Sequence, residues 1–208
     1  MAAPDANSFE PALDEIRFAL RASGLDHVFV QRGENLDALA LIDDVLRQAA
    51  TFAADVFAPI NSVGDRQGCR FENGRVILPA GFAEAYRAYV AAGWAGVGLP
   101  TRYGGQQLPV MVAVAVAEMF NSANMALSTS MMACGGAVAL IDRFGSDAQK
   151  RVYLPKIASG EWPVTMVITE PQAGSDVGAI QTRAVQDCAG YRLRGQKAFI
   201  SFGEHDMT

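Results

Sequence analysis

The spacing of apolar residues changes near Gly160, and that change constrains the fold more than any other feature of the chain. Before it, apolar side chains recur every three or four residues, the period of a helix with one buried face. After it, they alternate in short runs, the period of a strand. Leu39, Ile42, Leu46, Ala49, Ala53 and Val56 share one helical face, in a segment expected to open at Asn35 and to end at Pro59 and Asn61. Phe9, Leu13, Ile16 and Leu20 do the same after Ser8, with Pro11 expected in the first turn, where its missing N–H does no harm. Further helices are predicted near 81–92, 109–122 and 126–144, and a sixth from Ser146-Asp147 to about Ile157. Residues 61–80 read as loop, with a tight turn at Glu72-Asn73-Gly74-Arg75. The run GWAGVGLPTRYGG is irregular; it is no dinucleotide loop, because Thr101 stands where a third glycine is needed and no strand precedes it.

Four short strand-like runs follow: Val164–Thr169, Ile180–Val185, Tyr191–Leu193 and Lys197–Ser201. The expected class is therefore α+β, an all-helical domain followed by the start of an antiparallel β domain. Three or four short strands leave an open edge, so the chain is expected to be the front part of a longer protein. The division is a 1–34 extension, a 35–160 helical domain and a 161–208 incomplete β domain.

Charge and cysteine content exclude several classes. A net charge of −5, with 17 scattered basic residues and RLRGQK the one local cluster, gives no phosphate-binding surface, so no nucleic-acid partner is expected. RLRGQK itself reads as a solvated strand and turn. The three cysteines, Cys69, Cys134 and Cys188, have no CxxC spacing, which argues against a metal site or a disulfide framework and for a cytoplasmic location. Cys134 reads as a small core residue. The acidic N-terminus resembles neither a secretory signal nor a transit peptide. Met119–Ile141 is uncharged and nearly long enough to span a bilayer, but it contains Asn121, Asn124 and Gly135-Gly136. It reads as one helix end and a second, buried helix, with no membrane span.

The stretch VITEPQAGSDVGAI, Val167–Ile180, is crowded with residues chosen for backbone shape. Such a turn lets N–H groups converge on an anion such as a pyrophosphate, with the Ser175 hydroxyl as a further donor. An ordinary hairpin turn remains the alternative on spacing alone.

The surrounding motifs go further. FGSDAQKRVYLPKIASGEW, TMVITEPQAGSDVGAIQTRA and YRLRGQKAFIS, in this order, resemble the acyl-CoA dehydrogenase family, as does GWAGVGLPTRYGG upstream. The resemblance covers most of residues 35–208. FEPALDEIRFAL, GGQQLP…EMFNSANMA and ISFGEHD resemble the family's longer branch.

This resemblance implies two helical domains flanking a β domain, with FAD in the cleft among them and part of its site completed by a neighbouring subunit of a homo-oligomer. It implies that Met166, Ile168 and Thr169 line the flavin ring, that Gly174 and Ser175 contact cofactor or the phosphate-bearing part of the substrate, and that Phe199, Ile200 and Ser201 cover the ring's other side. Ser201 stands where many members have Thr, and Gln172 where many have Gly. The implied reaction is α,β-dehydrogenation of an acyl-CoA thioester, with electrons passed to an electron-transfer flavoprotein or similar acceptor. The catalytic Glu is expected beyond residue 208. Glu170 reads as structural, Glu204-His205-Asp206 as a surface or interface element, and His27 as a solvated loop residue. Apolar side chains around Met131–Leu140 are expected to shape the acyl pocket. An acyl-CoA oxidase and a non-catalytic helical interaction module on the same scaffold remain alternatives.

Overall fold

The computed structural model describes residues 9–33, 38–188 and 190–205. The first part is helical: α1 (Leu13–Ala22), α2 (Leu25–Gln31), α3 (Ala38–Phe52), α4 (Ala58–Gln67), α5 (Phe82–Ala91), α6 (Val110–Ala123), α7 (Met125–Ser128), α8 (Cys134–Phe144) and α9 (Asp147–Ser159). Two antiparallel hairpins are present, β1 (Arg70–Glu72) with β2 (Arg75–Ile77), and β3 (Arg183–Asp187) with β4 (Gly190–Arg194). The first turns through Asn73 and Gly74, both at positive φ, as the Glu72–Arg75 turn signal requires.

Several local expectations are corrected. Pro11 lies just outside α1, where its carbonyl accepts the Leu13 N–H, rather than in the first turn. Asn35 falls outside the described residues. The long helix does not stop at Pro59. A π turn at Ala53–Phe57 shifts hydrogen bonding by one residue, with the Ala58 N–H reaching Ala53 O, and Pro59 then sits at the start of α4. A proline is tolerated there because its missing donor belongs to a turn that no longer uses the regular ladder. Helix therefore occupies 61–67, and β1–β2 occupies part of the remaining predicted loop.

The stretch Met125–Phe144 is apolar and long enough to cross a bilayer. It is broken into α7, a 3₁₀ turn at Thr129–Met131, and α8. Within α8 Val138 alone is buried, so this helix lies at the surface rather than in the core as expected. The capping box at Ser146–Gln149 opens α9, which runs two residues past the expected end.

One core joins α1 through α7 and centres on aromatic rings. Phe120 meets Phe57 at 5.2 Å, Trp94 edge-on at 5.4 Å and Tyr89 edge-on at 5.9 Å between centroids. Buried Asn124 fixes the join: its amide donates to Phe57 O on the π turn, and its Oδ1 accepts the Leu127 N–H to cap α7.

A second, smaller core of Val138, Leu154 and Ile157 packs against Leu99, Tyr103 and Val164, carrying the start of the later region onto the helical body. Gly160 closes α9 at φ +80°, and a Cβ there would come within 2.8 Å of Val90 and 2.9 Å of Ala95. That close approach lets Tyr86 donate to Gly160 O at 2.8 Å.

Phe120→Ala should lower unfolding free energy by about 3–5 kcal/mol, since it removes the ring shared by four aromatic contacts. Phe18→Ala, at an exposed position, should stay within about 0.5 kcal/mol. Urea titrations of the two variants check this; equal losses would refute the assignment of Phe120 to the centre.

Candidate functional site

After α9 the chain runs extended from Pro163 to Thr169 and turns sharply at Glu170–Ala173, where each of these two residues donates to the other's carbonyl, at 2.9 and 3.0 Å. Glu170 is the anchor. Its side chain is 2% exposed. Its carboxylate accepts from Gln172 Nε2 at 2.6 Å, Gln181 N at 2.8 Å, Thr182 N at 3.0 Å and Lys197 Nζ at 2.9 Å. Lys197 Nζ also donates to Ile168 O at 2.8 Å. Hydrogen bonds from Thr182 and the Gln181 N–H, with the Lys197 ammonium, hold the Glu170 carboxyl far below the usual carboxylate range.

This clamp brings 164–169 beside 197–203. Ala198 N donates to Thr169 O at 3.0 Å, and Thr165 Oγ1 to Ser201 O at 2.6 Å. Neither segment is a strand, contrary to expectation. Phe199 and Phe202 take φ of +57° and +53°, which interrupts the extended backbone a strand needs. The same twist turns the Phe199 ring out, 90% exposed. Of the other predicted strands, Ile180–Val185 begins only at Arg183, and Tyr191–Leu193 lies within β4.

Met166, Phe199 and Ser201 line one cleft of about 240 Å³ with Thr129, Ser130 and Met132. Ile168, Thr169 and Ile200 lie in the two segments that form it, while Gly174 and Ser175 stand on the exposed loop beyond the Glu170 turn. That loop is not an open anion nest along its whole length. Val177, Gly178 and Ala179 spend their N–H groups inside the turn, on Ser175 O, the Asp176 carboxylate and Asp176 O. The N–H groups of Gly174, Ser175 and Asp176 have no hydrogen-bond partner among the described residues and remain able to meet a ligand.

A larger apolar cavity of about 410 Å³ adjoins the cleft. Trp94, Leu99, Val114, Phe120 and Met131 are among the residues around it. Met132 borders both spaces. Cys134 is half-buried, packed against the second core and at the wall of this cavity, and burial pushes its thiol upward. The expected pocket residues divide: Met131, Met132, Cys134 and Gly135 line the cavity, Val138 lies in the second core, and Leu140 faces solvent.

The remaining candidates fall elsewhere. The Glu204 carboxylate takes the Val76 N–H of β2, the His205 ring lies 6.3 Å from Phe202, and Asp206 is outside the described residues. His27 is on α2 rather than in a loop, 2.8 Å from the Gln31 amide. Of RLRGQK, Arg192–Arg194 lies exposed on β4, where Arg192 pairs with Asp187, whereas Lys197 is not a solvated turn residue but part of the Glu170 clamp. Sequence reasoning marked Gln172 only as a departure on the turn and missed its role, an amide that bridges Glu170 and Ala179 O. A long polar side chain replacing a small turn residue was the available signal.

Residues 43–161 match the model for the acyl-CoA dehydrogenase N-terminal domain, more than half of the chain. The chain belongs to the acyl-CoA dehydrogenase family. It is 43% identical over 164 residues to a 3-methylmercaptopropionyl-CoA dehydrogenase from Ruegeria pomeroyi, a match covering 78% of this chain and 28% of that relative. Among solved structures it is similar to butyryl-CoA dehydrogenase from Megasphaera elsdenii, at 25% identity and a TM-score of 0.66, over 78% of this chain and 41% of that one. It is also similar to PigA in complex with FAD, at 28% identity and a TM-score of 0.62, over 76% of this chain and 39% of that one. The chain thus spans little more than a quarter of the curated relative it matches.

A carboxyl held below its ordinary value of 4.5 stabilises the fold above that pH, and the contribution is lost as pH falls toward the folded value. Hydrogen exchange at the Gln181 and Thr182 amides should therefore be slow at neutral pH and, corrected for the intrinsic rate, accelerate below about pH 4. Glu170→Gln should show fast exchange at both pH values. Exchange in the wild-type chain that is indifferent to acid would contradict the clamp.

Proposed function

We propose that this chain supplies the flavin-facing and acyl-facing walls of an enzyme that carries out FAD-dependent α,β-dehydrogenation of an acyl-CoA thioester. The observation that carries the reading is the meeting, at Met132, of two unlike spaces. One holds an exposed aromatic ring with hydroxyls beside it; the other is an apolar cavity walled by helices.

The residues fit the cofactor. Phe199 offers an uncovered aromatic face and Met166 a polarisable side chain, both suited to a planar heteroaromatic ring. The Thr169 and Ser201 hydroxyls have no partner among the described residues and can orient ring heteroatoms. Ile168 and Ile200 keep the two facing segments apolar. Gly174 and Ser175 present open N–H groups, with the Ser175 hydroxyl, to a phosphate of cofactor or thioester. When bound, FAD supplies the hydride acceptor, and the protein supplies orientation and electrostatics.

Glu170 is not the base. A general base needs a pKa near the working pH and a free lone pair directed at the substrate. Here the carboxylate is committed to four donors and held far below that range. The proton acceptor in this reading is a glutamate outside these 208 residues. Electrons pass to an electron-transfer flavoprotein or similar acceptor, in a homo-oligomer, and the cytoplasm is the proposed compartment.

Two outcomes follow. Phe199→Ala should weaken FAD binding roughly fivefold, read by flavin fluorescence, through loss of about 1 kcal/mol of ring contact. Phe71→Ala, at an exposed position on β1, should leave it unchanged; equal effects would remove Phe199 from the site. The 208-residue chain, supplied with FAD, an acyl-CoA and an artificial electron acceptor, should show no turnover. Measurable dehydrogenation would place the base within this chain.

A further inference from the structure

Asp142 stands where a helix disfavours it. It lies in the last turn of α8, and a carboxylate there faces the negative end of the helix dipole. Both of its oxygens are spent on another element. From the 3₁₀ turn at Thr101–Tyr103, Tyr103 Oη donates to Oδ1 and Arg102 Nη2 to Oδ2, each at 2.5 Å. The Arg102 guanidinium also lies over the Tyr103 ring, 4.8 Å from its centre. The Tyr103 bond first, and Arg102 after it, holds the Asp142 carboxyl below its ordinary range.

The two elements joined by this latch also wall the apolar cavity. Leu99, four residues before Tyr103, lines the cavity and packs against the second core. Cys134 does both as well, and it precedes Asp142 by eight residues, or about 12 Å along the helix. Along α8 only Val138 is fully buried, with Ile141 half-buried beside the latch. The helix is therefore gripped from its middle to its Asp142 end, while its first turn borders the cavity. That first turn adds little rigidity of its own. A Cβ on Gly135 or Gly136 would meet nothing within 4 Å, and glycine favours helix least of all residues but proline. The angle fixed at Asp142 thus decides where Cys134 and Gly135 fall at the cavity wall.

We propose that Asp142, gripping Tyr103, is a positioning residue for acyl-chain selection: the latch fixes the spacing between Leu99 and the start of α8, and with it the sharpness with which the cavity discriminates chain length. The proposal rests on the reading of this cavity as the acyl pocket. With the latch closed, the walls are close-packed and held, so a chain that does not fit meets side chains that cannot yield. With the latch broken, α8 rocks about Val138 and the walls adapt to chains of several lengths. Selection is a difference of affinities, and it shrinks when every chain finds an accommodating wall.

The test titrates straight-chain thioesters, butyryl-CoA to dodecanoyl-CoA, into the complete FAD-loaded enzyme by calorimetry. Tyr103→Phe keeps the ring against the second core and removes only the hydroxyl. Asp142→Asn keeps an acceptor for Tyr103 and removes the charge that Arg102 meets. In Tyr103→Phe the ratio of tightest to weakest binding across the series should fall roughly fivefold, the worth of one net hydrogen bond. Asp142→Asn should act in the same direction by less. A second readout needs no thioester. The half-buried Cys134 thiol should react with a disulfide reagent several-fold faster in Tyr103→Phe than in the unaltered enzyme, followed by mass spectrometry of the Cys134 peptide. An unchanged ratio, a uniform loss across the series or unchanged Cys134 reactivity overturns the proposal and leaves the acyl reading intact. Failure of the unaltered enzyme to bind any thioester overturns the acyl reading, and the selective role with it.

Discussion

Glu170 is the carboxylate on which the later part of the chain depends. Burying a carboxylate is strongly unfavourable unless its lone pairs are used, and here the turn at 170–173, the 181–182 backbone and Lys197 all converge on it. These groups come from three separated stretches of sequence. Because the carboxylate needs them all, it holds the stretches in one arrangement, and Lys197 extends the hold to Ile168 O. The cleft beside Met166, Phe199 and Ser201 exists because this anchor sets its two walls side by side.

Regular β structure is not what holds that region. The two wall segments share one backbone hydrogen bond, Ala198 N to Thr169 O, among the described residues. Left-handed residues at Phe199 and Phe202 prevent a continuous ladder. Backbone strain of this kind is sustained only where surrounding contacts over-determine it, and it places an aromatic ring outward. A regular strand would have alternated Phe199 with its neighbours across the sheet and could not have presented the ring in this way.

The helical body has its own organising point in Phe120 and Asn124. The π turn at Ala53–Phe57 brings Phe57 against Phe120 and leaves its carbonyl to the Asn124 amide. One polar residue thereby joins α4's entry to α7, and α7 in turn places Ser128 at the apolar cavity. Met132, a few residues on, is 69% exposed and borders both spaces. An unbranched side chain of this kind conforms to neighbours of different shape.

Much of the helical body is legible in the order of residues alone. The apolar repeat of α3 names Ile42, Leu46, Ala49 and Ala53, and all four are buried. The Ser146 cap, the Asn73-Gly74 turn and the glycine stop at Gly93 are equally plain, because each depends on neighbours a few residues away. Motif order identifies the family. What stays hidden is non-local. Pro59 reads as a stop because a π turn leaves no pattern in hydrophobicity, and α8 reads as buried because composition does not say whether a neighbour covers it. Phe199 reads as a strand residue because its left-handed φ is imposed from outside. Local backbone preference and apolar period are written along the chain, so the sequence by itself determined the helical body, its caps and the shift in period near Gly160. Only the tertiary structure decided which groups meet at Glu170 and that Met132 borders both spaces, because both follow from distances between residues far apart in sequence.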